Sequence, residues 1–153
     1  MPSKEEVLSI LVPLAQRVAA VDLANPAARA ALEAAIGPAD QAAVRTALMA
    51  AHSEGWLTPR RATETLTFGR LAKPADATQG LSIDVVDMSG AGAGHTHPNG
   101  EASLCFALQG SPTFMGQPPG WVVAAPGSHH IPEVTGGRML IAYFLPGGAM
   151  EWD

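Results

Sequence analysis

The run Gly94-His95-Thr96-His97-Pro98-Asn99-Gly100-Glu101 restricts the fold of this chain more than any other stretch. Alternate residues of an extended strand share a face, so His95 and His97 project to the same side. The Pro-Asn-Gly that follows is a turn signal, and folding back there brings Glu101 toward the two imidazoles. Asn99-Gly100 needs no role beyond that turn. A second cluster, Pro126-Gly127-Ser128-His129-His130, comes later in the chain. Two imidazoles, a carboxylate and a distant third imidazole form a donor set for a divalent metal ion (Fe, Mn, Co, Ni or Zn) that leaves positions open for a substrate. The competing reading is a solvated hairpin that carries histidines. Four of the five histidines fall in these two clusters, which favours the metal.

The chain changes character near Trp56. Before it, Ser3-Lys4-Glu5-Glu6 has the form of a capping box, and Val7, Leu8, Leu11, Leu14, Ala15 and Val18 recur at helical spacing. Pro13 falls inside that pattern and is expected to kink or end the first helix. Asn25-Pro26 opens a second helix over residues 27–36, stopped by Gly37, and Pro38 opens a third that runs to Ser53, with Gly55 terminating it. His52 reads as a cation capping the end of that helix. These alanine-rich helices read as scaffold or dimer contact. After Trp56, short β-branched and aromatic runs alternate with Gly/Pro turns, which predicts strands at 65–70, 81–88, 95–97, 102–108, 112–115, 121–125, 130–134 and 139–145. The expected fold is mainly β: a small β-barrel or jelly roll (56–153), its interior able to hold one small ligand, behind an N-terminal α-helical segment (1–55).

Apolar residues make up 47% of the chain, enough for a core, and charged residues only 15%, below the usual quarter. So poorly charged a surface is expected to be partly covered, as in a homodimer. Net charge is −5 with a pI near 5.4 and no Lys/Arg cluster, which argues against nucleic acid and anionic membranes as partners. No apolar run approaches the roughly twenty residues of a membrane span, and Lys4-Glu5-Glu6 is unlike a signal peptide. The single Cys105 excludes an internal disulfide framework and reads as a small core residue. A cytoplasmic protein is expected.

Two motifs carry a family resemblance. His95-x-His97-x3-Glu101 resembles the first cupin motif. Gly120-x5-Pro126-Gly127-x2-His130 is similar to the second, without its usual residue between Pro and Gly, and the Gly-x2-His spacing selects His130 over His129. The downstream glycine of the first motif comes late, at Gly110. The resemblance implies a cupin-type barrel with a metal held by His95, His97, Glu101 and His130. A narrower resemblance runs through Glu54-Gly55-Trp56-Leu57, Phe68-Gly69-Arg70, Lys73-Pro74, Leu81-Ser82-Ile83-Asp84-Val85-Val86, His97-Pro98-Asn99-Gly100-Glu101, Gly120-Trp121, Pro126-Gly127-Ser128 and Leu145-Pro146-Gly147-Gly148-Ala149-Met150-Glu151. In these the chain resembles the 4-hydroxylaminobenzoate lyase family. That implies conversion of 4-hydroxylaminobenzoate, a small aromatic carboxylate, to protocatechuate and ammonia, a step of nitroaromatic degradation. The net reaction consumes water and is redox-neutral. The absence of G-x-G-x-x-G and P-loop patterns agrees with it. A metal acting as Lewis acid would stabilise the leaving hydroxide.

Around that centre the candidates are as follows. Tyr143, the only tyrosine, would be a proton donor if it faces the barrel, and Glu101 is the second catalytic candidate. Arg70 and Lys73 would hold the substrate carboxylate, with Arg138 a weaker choice, and Trp121 would contact the ring. Glu133 and Asp84 would accept from the outer nitrogens of the ligand imidazoles, although simple alternation leaves Asp84 open to exposure. His129 should face away from the ion. A metal-dependent cupin oxygenase acting on a small aromatic or thiol substrate, and a non-enzymatic ligand-binding cupin, are the alternative functions; oxygen uptake separates the first from a lyase.

Overall fold

The first helix forms where its sequence caps it. In the computed structural model, which describes residues 2–153, the Ser3 hydroxyl accepts from the Glu6 amide at 3.2 Å, and α1 runs Lys4–Ala19. Val7, Leu11, Leu14, Ala15 and Val18 form its buried stripe. Pro13 does not end it. The proline is exposed, and the carbonyl deprived of a donor belongs to Ser9, also exposed and so open to solvent. Burial of Leu11 and Leu14 on either side keeps the helix continuous. Helices α2 (Ala28–Ala35) and α3 (Pro38–Ser53) follow, burying Leu32, Val44, Leu48 and Ala51.

Nine strands come next: β1 (Arg60–Thr63), β2 (Leu66–Ala72), β3 (Leu81–Ala91), β4 (His95–His97), β5 (Glu101–Phe114), β6 (Gly120–Ala124), β7 (Ser128–His130), β8 (Glu133–Pro146) and β9 (Glu151–Trp152). A six-stranded sheet has the order β1-β2-β3-β8-β5-β6 and a three-stranded sheet the order β7-β4-β9, with every pairing antiparallel. This is the mainly β, cupin-type double sheet expected, with its N-terminal helices. The sheets are separate hydrogen-bonded units, so the barrel is not closed by a continuous ladder. The runs predicted at 102–108 and 112–115 are one strand, β5, bent by register shifts. The run at 130–134 is divided instead: His130 ends β7, and Glu133 begins β8 and continues through 139–145. Strands β1 and β9 had no sequence signal.

The central strands of the six-stranded sheet are buried on both faces, and alternation sorts their residues. Leu81, Ile83, Val85, Leu104, Phe106, Leu140, Ala142 and Phe144 pack with Leu11, Leu32, Ile36, Val44 and Leu48 of the helical segment in one core. On the opposite face Val86, Met88, Cys105, Phe114, Val122, Ile141, Tyr143 and Leu145 form a second cluster inside the barrel. Cys105 is a core residue, as expected. Asp87 interrupts the helix-side face, 2% exposed, and His52 does not simply cap α3: its Nε2 lies 2.8 Å from Asp87 Oδ2. Arg138 of β8 pairs with the same carboxylate. That places Arg138 on the helix side, away from the barrel interior.

Candidate metal centre

The alternation that predicted a shared face for His95 and His97 is realised on β4, and β7 lies beside it with His130 directly opposite His95. Their Nε2 atoms form a triangle with edges of 2.9, 3.1 and 3.1 Å. His95 is 4% and His97 0% exposed. Burial, with the neighbouring imidazoles, pushes His97 down to about 3 and His130 to about 4, and burial lowers His95 as well. All three rings are therefore neutral near pH 7. The Nδ1 of His95 faces the Ala93 carbonyl at 2.9 Å, which places its proton there and leaves the Nε2 a lone pair. Three neutral imidazoles cannot satisfy one another at these separations without a cation among them. With metal–nitrogen bonds of about 2.0–2.1 Å, neighbouring donors stand about 2.9–3.0 Å apart around an octahedral ion and about 3.3 Å around a tetrahedral one. The observed edges lie close to these separations, and the histidines fit a divalent ion.

Glu101 is not part of that triangle. After the turn it begins β5 fully buried; Oε1 accepts from the Ser103 hydroxyl at 2.6 Å, and Oε2 lies 3.4 Å from His97 Nδ1, the outer nitrogen. Neither Oε2 nor that Nδ1 has a hydrogen-bond partner among the described residues. The carboxylate thus stands behind a ligand ring, where such groups orient histidines, instead of beside the three Nε2 atoms. Burial pushes it up to about 7 against the opposing effect of the Ser103 hydrogen bond.

A polar row crosses the barrel face of the large sheet. The register aligns Arg70 of β2, Asp84 of β3, Tyr143 of β8 and Ser103 of β5. Arg70 Nε donates to Asp84 Oδ1 at 2.7 Å and the Ser82 hydroxyl to Asp84 Oδ2 at 2.8 Å. Tyr143 is buried, so its pKa is raised well above the ordinary value, Glu101 adding to the effect, and its hydroxyl donates to no group among the described residues.

Comparison with known proteins decides the family. A family model described as PnbB, 4-hydroxylaminobenzoate lyase, matches residues 21–152. The chain belongs to the 4-hydroxylaminobenzoate lyase family. Proteins named 4-hydroxylaminobenzoate lyase from Pseudomonas putida and from Nocardioides sp. (strain LMS-CY) are each 34% identical to it. The first match covers 94 residues, 59% of this chain and 53% of the relative; the second covers 92 residues, 55% and 54%. The chain spans about half the length of these relatives. Among solved structures it is similar to a cupin-like protein from Thermotoga maritima (TM-score 0.48, 13% identity, covering 63% of this chain and 85% of that one). A second is an RmlC-like cupin from Ralstonia eutropha (TM-score 0.45, 14% identity, 60% and 62%). No helix among the described residues is long and apolar enough to cross a membrane.

Several expected site residues of this family member lie elsewhere. Trp121 faces the helices: it pairs with Leu104, is 0% exposed, and its Nε1 donates to the Ile36 carbonyl at 3.2 Å. The parity of β6 puts it in the helix–sheet core, on the face opposite the barrel interior. Lys73 is exposed just past the end of β2 and forms no salt bridge among the described residues. Asp84 serves Arg70 and Ser82 and touches no ligand imidazole, and Glu133 is exposed at the start of β8. His129 points away from the triad, as alternation required, and pairs with Asp153 at 2.9 Å. Sequence reasoning missed Ser103, for which alternation with Glu101 on one strand was the available signal, and the Arg70–Asp84 pair, which only cross-strand register reveals.

Proposed function

We propose that this chain is a metal-dependent lyase of aromatic hydroxylamines, converting 4-hydroxylaminobenzoate and water to protocatechuate and ammonia. The observation that carries this reading is the convergence of three neutral imidazole nitrogens inside a barrel whose facing wall bears Arg70, Asp84, Tyr143 and Ser103. His95, His97 and His130 would hold a divalent ion, which when bound would supply Lewis-acid stabilisation to the leaving oxygen of the N–O bond. Arg70 pairs with the benzoate carboxylate, its guanidinium kept in orientation by Asp84. Tyr143 holds its proton at neutral pH and is placed to donate it. Glu101 stands behind His97, its Oε2 3.4 Å from Nδ1, where a carboxylate keeps a ligand ring in orientation.

The test is ammonium release from 4-hydroxylaminobenzoate by metal-replete protein under nitrogen. One ammonium and one protocatechuate per substrate consumed are expected. No ammonium, or turnover only when oxygen is admitted, overturns the reading, and the second outcome points to an oxygenase. Arg70→Ala is expected to raise KM about tenfold or more, as loss of a charged hydrogen-bonding partner does; unchanged kinetics would remove Arg70 from the site.

A further inference from the structure

The three-stranded sheet carries one more side chain on the face of the metal ligands. Trp152 of β9 pairs with His95 of β4, and His95 with His130 of β7, so the three lie in one cross-strand row. Residues directly opposite across antiparallel strands share a face. The Trp152 indole meets the His95 imidazole edge-on, with ring centroids 5.2 Å apart at 70°, yet Trp152 remains 66% exposed. A large aromatic ring beside a ligand histidine, open on its outer side, is a platform and not a core residue.

The segment that carries it is built as a strap. It leaves β8 through Gly147 and Gly148, both at positive φ (67° and 63°), a turn that side-chain-bearing residues adopt only with strain. A β-carbon added to Gly148 would stand 3.5 Å from Arg70 Nη2. Two residues on, Met150 packs against the barrel cluster that contains Tyr143. The far end is tied by the Asp153 amide donating to the Gly94 carbonyl at 3.2 Å and by the His129–Asp153 pair. The strap therefore passes from Arg70 at one end to His95 at the other.

We propose that Trp152 is a substrate-contacting residue that sets specificity for planar aromatic carboxylates, its indole packing on the substrate ring beside the histidine triad. This rests on the proposed reading of an aromatic substrate, and binding is measured separately from turnover so that the two can fail separately. The probe is equilibrium binding of 4-hydroxybenzoate and of cyclohexanecarboxylate to the metal-loaded protein by calorimetry, for wild type, Trp152→Phe and Trp152→Ala, with metal content checked in each.

An aromatic contact of this kind corresponds to about three- to tenfold in affinity. Wild type and Trp152→Phe are expected to bind the planar ligand that much more tightly than the saturated one, and Trp152→Ala to lose the preference while keeping its metal. In turnover of 4-hydroxylaminobenzoate, Trp152→Ala should raise KM by the same factor with kcat nearly unchanged. A wild type that binds and discriminates but releases no ammonium refutes the lyase reaction and leaves this proposal standing. Equal discrimination by wild type and Trp152→Ala, or no binding of the planar ligand by any of them, overturns it.

Discussion

The outer nitrogens of His95 and His97 face different groups, and the difference divides the residues by what their loss should do. His95 is held by a backbone carbonyl, which no side-chain substitution removes, whereas His97 faces the carboxylate of Glu101. Replacing an imidazole that supplies a lone pair removes one of three donors; replacing the group behind it only loosens the ring. Glu101→Gln is therefore expected to retain one metal per chain with affinity lowered about tenfold to a hundredfold, while His130→Ala loses stoichiometric metal. Titration against a competing chelator checks both, and a Glu101→Gln protein as metal-poor as His130→Ala would show the carboxylate to be a ligand itself. The histidines were legible because period-two alternation and motif spacing act locally. The station of Glu101 was not, since a turn fixes where the strand restarts but not which nitrogen of a neighbouring ring the carboxylate meets.

Among the elements, the six-stranded sheet was legible as strands but not as two faces. Its central strands are apolar on both sides, because helices cover one face and the barrel fills the other, so hydropathy could not say which way Trp121 or Tyr143 pointed. Parity against the partner strand does say: Trp121 goes with Leu104 toward the helices, Tyr143 with Ser103 toward the triad. Trp121→Phe removes the hydrogen bond to the Ile36 carbonyl and leaves a void, which should lower stability by about 2 kcal/mol. Thermal unfolding should show this with KM unchanged; an altered KM at unchanged stability would return Trp121 to the substrate site. Pro13 was misleading for a related reason. A helix-breaking residue costs little where its orphaned carbonyl is wet and apolar side chains on both sides are buried.

At the scale of the whole molecule, the metal-free protein carries opposing proton demands in one small volume. His95, His97 and His130 bind protons more weakly folded than unfolded, so each withdraws stability as pH falls below about 6.5, continuing toward about 4 for His130 and about 3 for His97. Glu101 has the reverse sign: raised to about 7, it withdraws stability as pH rises from its ordinary carboxyl range to that value. Three imidazoles outweigh one carboxyl between about pH 4.5 and 6.5, where unfolding should become harder as pH rises. Denaturant unfolding of chelator-treated protein across that range measures the slope, and a flat or falling curve would contradict the burial of the triad. The overall arrangement, helices first and a double sheet after, was readable from the change of periodicity at Trp56. That the helices share a core with the sheet was not, because nothing local in an alanine-rich helix names its partner.

The candidate ligand histidines ride on two of the short strands, three residues each in β4 and β7, while β5 and β8 run for fourteen. Short ladders open at small cost and long central ones only with the whole fold. Withdrawing the ion should accordingly let a corner open more often while the protein stays folded. Amide hydrogens of residues 95–97 and 128–130 should exchange with deuterium many times faster after chelation, while those of β5 and β8 stay protected. The bound cation would then be a staple on the part of the chain least able to hold itself, so that occupancy sets how often the mouth of the barrel opens.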